Sequence, residues 1–260
     1  MIASEMPERI IFVGGPPRSG TTVTHALICT SDRVSDYNPE ISFFRGLPMA
    51  YRNGRAAWAG HTSGFFKDPE EFRQLMRQTC DLSIAHLWNA LGRKPILAVK
   101  DPHLTPLFRD LHMLYPEEAR FVVVARHPHD VVRSRQEVHE KAATGRPFSL
   151  ADVQAVAREY VSYYNAILSY DFKGHALVFR YEDLNQPEVQ ARIAACVGVE
   201  GFDTSKLWRS STPEAADDAW GSPKYYKGLD LEPRLSPLAP EFAQAATTIC
   251  APMLPRLGYA

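Results

Sequence analysis

Cysteine is scarce in this chain. Four thiols, Cys29, Cys80, Cys196 and Cys250, are spread through 260 residues with no CxxC pair. That spacing offers neither a zinc ligand set nor a disulfide framework, and four separate buried thiols are expected. A charge excess is lacking too, with 29 Lys and Arg against 30 Asp and Glu. This excludes a chain-wide basic footprint for nucleic acid, and any anion site must be local. No apolar run reaches the ~18 residues of a membrane span. The opening MIASEMPERIIFV carries no secretory hydrophobic region, because IIFVGG is short and runs straight into a loop. A soluble, cytoplasmic protein is expected, one domain over residues 1–260 with a sizeable core.

One lysine is also missing. Residues 15–22 read GPPRSGTT behind the run IIFV. The glycines match the spacing of a nucleotide-binding loop, but Thr21 occupies its lysine position. A kinase or ATPase needs that lysine at the β- and γ-phosphates, and a magnesium ligand as well. Asp101, after ILAVK, is a weak candidate for the ligand. What remains still suits a phosphate. A loop entering a helix presents free N–H groups and the positive end of the helix dipole. Gly20 admits an anion to the backbone, Thr21 and Thr22 add hydroxyls, and Arg18 adds a planar fork of permanent charge.

Short buried strands are expected at 10–14, 95–99, 121–125 and 175–180. Helices are expected at 20–31, from Pro69 behind an Asp68 cap, and at 105–114, 128–142, 151–170, 186–197 and 240–254. The stretch 36–68, with Phe43, Phe44, Tyr51, Trp58, Phe65 and Phe66, reads as irregular, and 201–238 as loop. The alternation gives an α/β three-layer sandwich with a central, mostly parallel sheet and a phosphate-loop-like strand–loop–helix. Ligands of such sheets bind beyond the carboxyl ends of the strands. Here those exits carry Arg18, Lys100, Arg126 and Arg180. In FVVVARHPHDVVRS, Ser134 lies seven residues past His127. That is two helical turns, so its hydroxyl falls below the Arg126 corner and the two can converge on one oxyanion. His127, His129 and His139 do not read as a metal site, because side chains flanking a proline at a helix start diverge.

The two loops together resemble those of the sulfotransferases that use 3′-phosphoadenosine 5′-phosphosulfate (PAPS). PRSGTT is similar to their 5′-phosphosulfate loop, and ARHPHDVVRS to their 3′-phosphate motif, an Arg with a Ser eight residues on. LVFRYEDL, 177–184, is similar to the family's strand ending in Tyr-Glu-Asp-Leu. The resemblance spans about residues 9–198; Lys224–Gly228 corresponds only weakly to the C-terminal cofactor loop. It implies that Arg18, Ser19, Gly20, Thr21 and Thr22 hold the 5′-phosphosulfate, that Arg126 and Ser134 hold the 3′-phosphate, and that Tyr181 lies at the adenine. It implies no metal. A sulfuryl donor has no β/γ-phosphate bridge, which accounts for a loop without lysine.

Sulfuryl transfer to a hydroxyl needs a proton acceptor, cations at the leaving oxygen and an aligned acceptor. Arg18 and Lys100 are the electrostatic pair. Two bases compete. Glu40 resembles the glutamate base of the tyrosylprotein and some bacterial branches, with an inserted residue or two. His103 resembles the histidine of the cytosolic branch, displaced by one position. The arginine form of the loop favours Glu40, although an ordinary carboxyl, of pKa about 4.3, is a weak base unless desolvated. Asp101 is a third candidate, better read as a partner of Lys100 or Arg18. The aromatics of 37–66 suggest a small apolar or aromatic acceptor, or else complete the core. Two alternatives stand beside this reading: a small-molecule kinase with a degenerate loop, and a non-catalytic nucleotide-binding protein.

Overall fold

The computed structural model describes residues 5–142, 145–207 and 237–259. The Lys224–Gly228 stretch and most of the expected 201–238 loop lie outside these residues. Four strands, β1 (Arg9–Gly14), β2 (Ile96–Lys100), β3 (Ala119–Ala125) and β4 (Ala176–Arg180), form one sheet in the order β2-β1-β3-β4. Every pairing is parallel. The register aligns the strand ends: Val13 sits opposite Lys100, Gly14 opposite Val123, and Ala125 opposite Arg180. The loops that leave β1, β2, β3 and β4 therefore share one edge.

Parallel strands need helical crossovers, and these cover both faces. Among the described residues the helices are α1 (Thr21–Ile28), α2 (Gly46–Ala56), α3 (Pro69–Ala90), α4 (Phe108–Leu114), α5 (Pro128–Lys141), α6 (Leu150–Leu168), α7 (Pro187–Val197) and α8 (Pro240–Cys250). Alternate strand residues feed two separate cores. Ile11, Val13, Ala98, Val122 and Val124 pack with α1 and α7. Ile10, Phe12, Val99, Phe121 and Val123 pack with residues of α2–α6 and α8. The three-layer α/β expectation is met. Asp68 caps α3 as expected, its carboxylate accepting from Glu71 N at 2.8 Å.

The 36–68 stretch departs from the irregular segment expected. It holds a 3₁₀ turn, Ser42–Arg45, followed by α2. The sequence hides this helix because GLPMAYRNGRA contains Pro48 and Gly54, and Arg45 at its N-cap makes no side-chain cap. Long-range contacts hold it instead: Arg52 and Arg55 both pair with the buried Asp110 of α4. The six aromatics divide. Phe44 and Tyr51 are buried, Trp58 and Phe66 pack against Phe72, and Phe43 and Phe65 are exposed. Of the four thiols Cys29, Cys80 and Cys250 are buried, Cys196 is half-buried, and all are free. Burial pushes the Cys80 and Cys250 thiols up to about 12.

Candidate active site

Residues 15–20 leave β1 in a tight loop with three left-handed or related φ values, at Gly15 (137°), Arg18 (76°) and Gly20 (105°). For Arg18, a residue with a Cβ, the conformation costs ~1–2 kcal/mol. Gly20 is the N-cap of α1, and a Cβ there would run into the Tyr181 ring. Thr105 Oγ1 accepts from Gly15 N at 2.8 Å and so ties the loop to the segment after β2. The first intrahelical bond of α1 runs from Thr24 N to the Gly20 carbonyl, 3.1 Å. The N–H groups of Thr21, Thr22 and Val23 precede it, with no carbonyl behind them in the helix. Ser19 is fully buried: its N–H reaches the Pro16 carbonyl and its hydroxyl lies under Gly15. Thr21 is buried and Thr22 partly exposed.

Two clusters meet this loop. On the β3 side, Arg18 Nε donates to Ser134 Oγ at 3.0 Å, while Arg126 reaches the Arg18 carbonyl at 3.4 Å. The Arg126 guanidinium lies 4.7 Å from the centre of the Tyr181 ring. Its Nε is buried without a hydrogen bond, and the nearest carboxylate oxygen paired with it, on Asp130, is 3.6 Å away. On the β2 side, Lys100 Nζ donates both to Thr22 Oγ1 and to Glu40 Oε1, each at 3.0 Å. Lys100 is buried and Glu40 exposed. Glu40 is bracketed by two attachments to β2. Asn38 Nδ2 donates to the Ala98 carbonyl at 2.9 Å, and Ile41 N to the Lys100 carbonyl at 3.2 Å.

His103 is engaged by a different partner. It is exposed, and its Nδ1 shares a 2.7 Å hydrogen bond with the Tyr163 hydroxyl of α6. Asp101 is buried and caps the following turn through His103 N. Its carboxyl is raised by burial, against the pull of that N–H and of Arg45, whose Nε lies 3.0 Å away. Behind Lys100, His25 is completely buried, its Nε2 3.2 Å from the Ala98 carbonyl. Burial first, and the Lys100 charge second, lower its imidazole to about 3. His127 and His129 do not diverge as expected: they lie at the start of α5 with perpendicular rings 4.7 Å apart, because the His127 Nδ1 turns back to accept from His129 N, while His129 Nε2 pairs with Thr247. Among the described residues no three His, Cys, Asp or Glu side chains gather as a metal-binding group, and no helix is long and apolar enough to cross a membrane.

The model of the sulfotransferase family matches residues 10–203. The chain belongs to the sulfotransferase family. A comparison with curated proteins finds no match. Among solved structures, the sulfotransferase domain of the Synechococcus PCC 7002 olefin synthase aligns with 95% of this chain and 96% of its own, at 19% identity and a TM-score of 0.55. The sulfotransferase domain of the curacin biosynthetic pathway aligns with 94% and 98%, at 16% and 0.55. Sulfotransferase STF9 of Mycobacterium avium aligns with 98% and 78%, at 14% and 0.57. At such identities the shared property is the sulfotransferase fold.

Within this family member the loop, Ser134, Arg126 and Tyr181 come together, as do Lys100, Thr22 and Glu40. His103 makes its side-chain bond elsewhere. Sequence reasoning missed Arg45, Thr105, Asn38 and Tyr163. Only Thr105 and Asn38 carried a signal, as small polar residues within five positions of a strand exit or a candidate base. Arg45 and Tyr163 act across 56 and 60 residues of chain, where no local pattern exists to read.

Proposed function

We propose that this sulfotransferase moves a sulfuryl group from PAPS to the hydroxyl of a small, apolar or aromatic acceptor, as one domain over residues 1–260. The observation that carries the reading is the 3.0 Å bond from Arg18 Nε to Ser134 Oγ. It places the anion loop behind β1 beside the one behind β3, close enough for one ligand with two anionic ends to touch both. The donor set fits such a ligand. Arg126 has an unused guanidinium N–H, α1 has free first-turn N–H groups, and Gly20, which packs against the Tyr181 ring where a Cβ would clash, keeps that ring beside the loop.

In this reading Arg18, the N–H groups at Gly20–Thr22 and the Thr22 hydroxyl hold the 5′-phosphosulfate. Ser19 and Thr21, both buried, shape the loop around it. Arg126 and Ser134 hold the 3′-phosphate, and Tyr181 flanks the adenine. When bound, PAPS supplies an electrophilic sulfur on a nucleotide leaving group. Glu40 takes the acceptor's hydroxyl proton. Lys100, 3.0 Å from Glu40 Oε1 and from Thr22 Oγ1, positions the base and offsets negative charge on the leaving oxygen, together with Arg18. Phe43, three residues past Glu40 and exposed, supports an apolar wall for the acceptor. Four free cysteines suit a reducing compartment such as the cytoplasm.

Calorimetry tests the donor. Adenosine 3′,5′-bisphosphate should bind without magnesium at least ~10-fold more tightly than ATP with it, and Arg126→Ala should remove most of that preference. Equal affinities overturn the proposal. Bisphosphate binding with no sulfated product from a panel of apolar alcohols and phenols would make the protein a nucleotide binder.

A further inference from the structure

The peptide joining Arg126 to His127 is where the β3 exit turns into α5. Both of its polar groups are held by side chains from other elements. The Arg126 carbonyl accepts from the Tyr160 hydroxyl of α6 at 3.1 Å. The His127 N–H donates to Glu182 Oε1, just past β4, at 2.9 Å. Glu182 is held in turn: its Oε2 accepts from the Tyr259 hydroxyl at 2.7 Å. The Tyr259 ring stands perpendicular to the His127 ring at 5.5 Å, with the Arg180 guanidinium 5.7 Å away on its other contact. Arg180 also donates to the Gly258 carbonyl at 2.8 Å, so the Gly258–Tyr259 segment is fastened at two points beside the β4 exit. Glu182 follows Tyr181, the ring that lies on Arg126. One carboxylate therefore fixes both the backbone that aims Arg126 and the turn that carries its stacking partner.

We propose that Tyr259 and Glu182 are positioning residues for the Arg126 anion corner, and that the strap 258–259 thereby sets how strongly the protein distinguishes a nucleotide with a 3′-phosphate from one without. The inference rests on the reading of Arg126 and Ser134 as the 3′-phosphate site. A competing physical effect exists, because a carboxylate near a phosphate also repels it. Held between a backbone N–H and a phenol O–H, this carboxylate has donors on both oxygens, and orientation prevails over repulsion.

The test measures the affinities of adenosine 3′,5′-bisphosphate and adenosine 5′-monophosphate by calorimetry on wild type, Tyr259→Phe, Glu182→Ala and Glu182→Gln. Tyr259→Phe keeps the ring contacts and loses only the hydroxyl. It should lower bisphosphate affinity about tenfold and leave monophosphate affinity within about twofold. Glu182→Ala should do at least as much, and Glu182→Gln, which keeps an acceptor for His127 N, should recover most of the loss. Two results overturn the proposal: an unchanged preference in Tyr259→Phe, with or without an equal loss for both nucleotides, or tighter bisphosphate binding in Glu182→Ala. A wild type that binds both nucleotides equally removes the 3′-phosphate reading itself, and the inference with it.

Discussion

Lys100 and Glu40 illustrate how single residues divide the work. The lysine is buried at the last position of β2, and the glutamate is an exposed partner 3.0 Å away. Replacing Glu40 with Gln keeps the shape and removes the proton acceptor. Turnover should fall by at least ~10², while bisphosphate affinity is unchanged; single-turnover product formation beside calorimetry checks both. Near-normal turnover would move the role to His103, whose Nδ1 is already engaged by Tyr163. Gly20→Ala acts differently. It places a Cβ at φ 105° and into the Tyr181 ring, so it should cost more than ~1 kcal/mol of stability and weaken nucleotide binding. Denaturant titration and calorimetry read the two effects separately. At this scale the sequence was informative wherever a charged residue followed a β-branched run: Arg18, Lys100 and Arg126 all lie on one sheet edge. It was silent on Arg45, and it named Glu182 only within the Tyr-Glu-Asp-Leu strand end; their partners, Asp101 and His127, are chosen by packing between distant segments.

Elements differ in how far they are locally encoded. α3 carries its own start signal, Asp68 before Pro69, and the structure uses it. Asp68→Ala should cost ~1 kcal/mol and lower the melting temperature by ~2–4 °C, with bisphosphate affinity unaffected. α2 carries no such signal. It depends on Arg52 and Arg55 meeting Asp110, so Asp110→Ala should loosen α2 by stranding two partly buried guanidinium groups. Hydrogen exchange should report faster opening of residues 46–56 than of α3. The contrast explains which expectations held. Strands and capped helices are written in neighbouring residues, whereas a helix containing Pro48 and Gly54 leans on tertiary contacts, from Tyr51 against Phe72 to Arg52 and Arg55 against Asp110.

For the whole molecule, buried histidines contribute to acid sensitivity. His25, lowered to about 3 chiefly by burial, stays neutral in the folded protein while the unfolded chain protonates near its ordinary pKa. The unfolded state thus binds the extra proton, and stability declines as pH falls from about 6.5 toward 3. Its share is up to about 1.4 kcal/mol per pH unit. His112, also lowered by burial, adds in the same direction, while the raised carboxyls of Asp81 and Asp101 oppose it at the acid end. Melting curves between pH 7.5 and 5 should show the decline, and His25→Gln should flatten it.

The strand order carries a consequence for biosynthesis. Among the described strands β1 comes first in the chain and is central, and its neighbours β2 and β3 begin only at residues 96 and 119. Until the ribosome has delivered them, Ile10–Val13 present an apolar ribbon with both hydrogen-bonding edges open. Such a nascent chain is a natural client for chaperones, and its assembly should be slow because the closing contacts are so far apart in sequence.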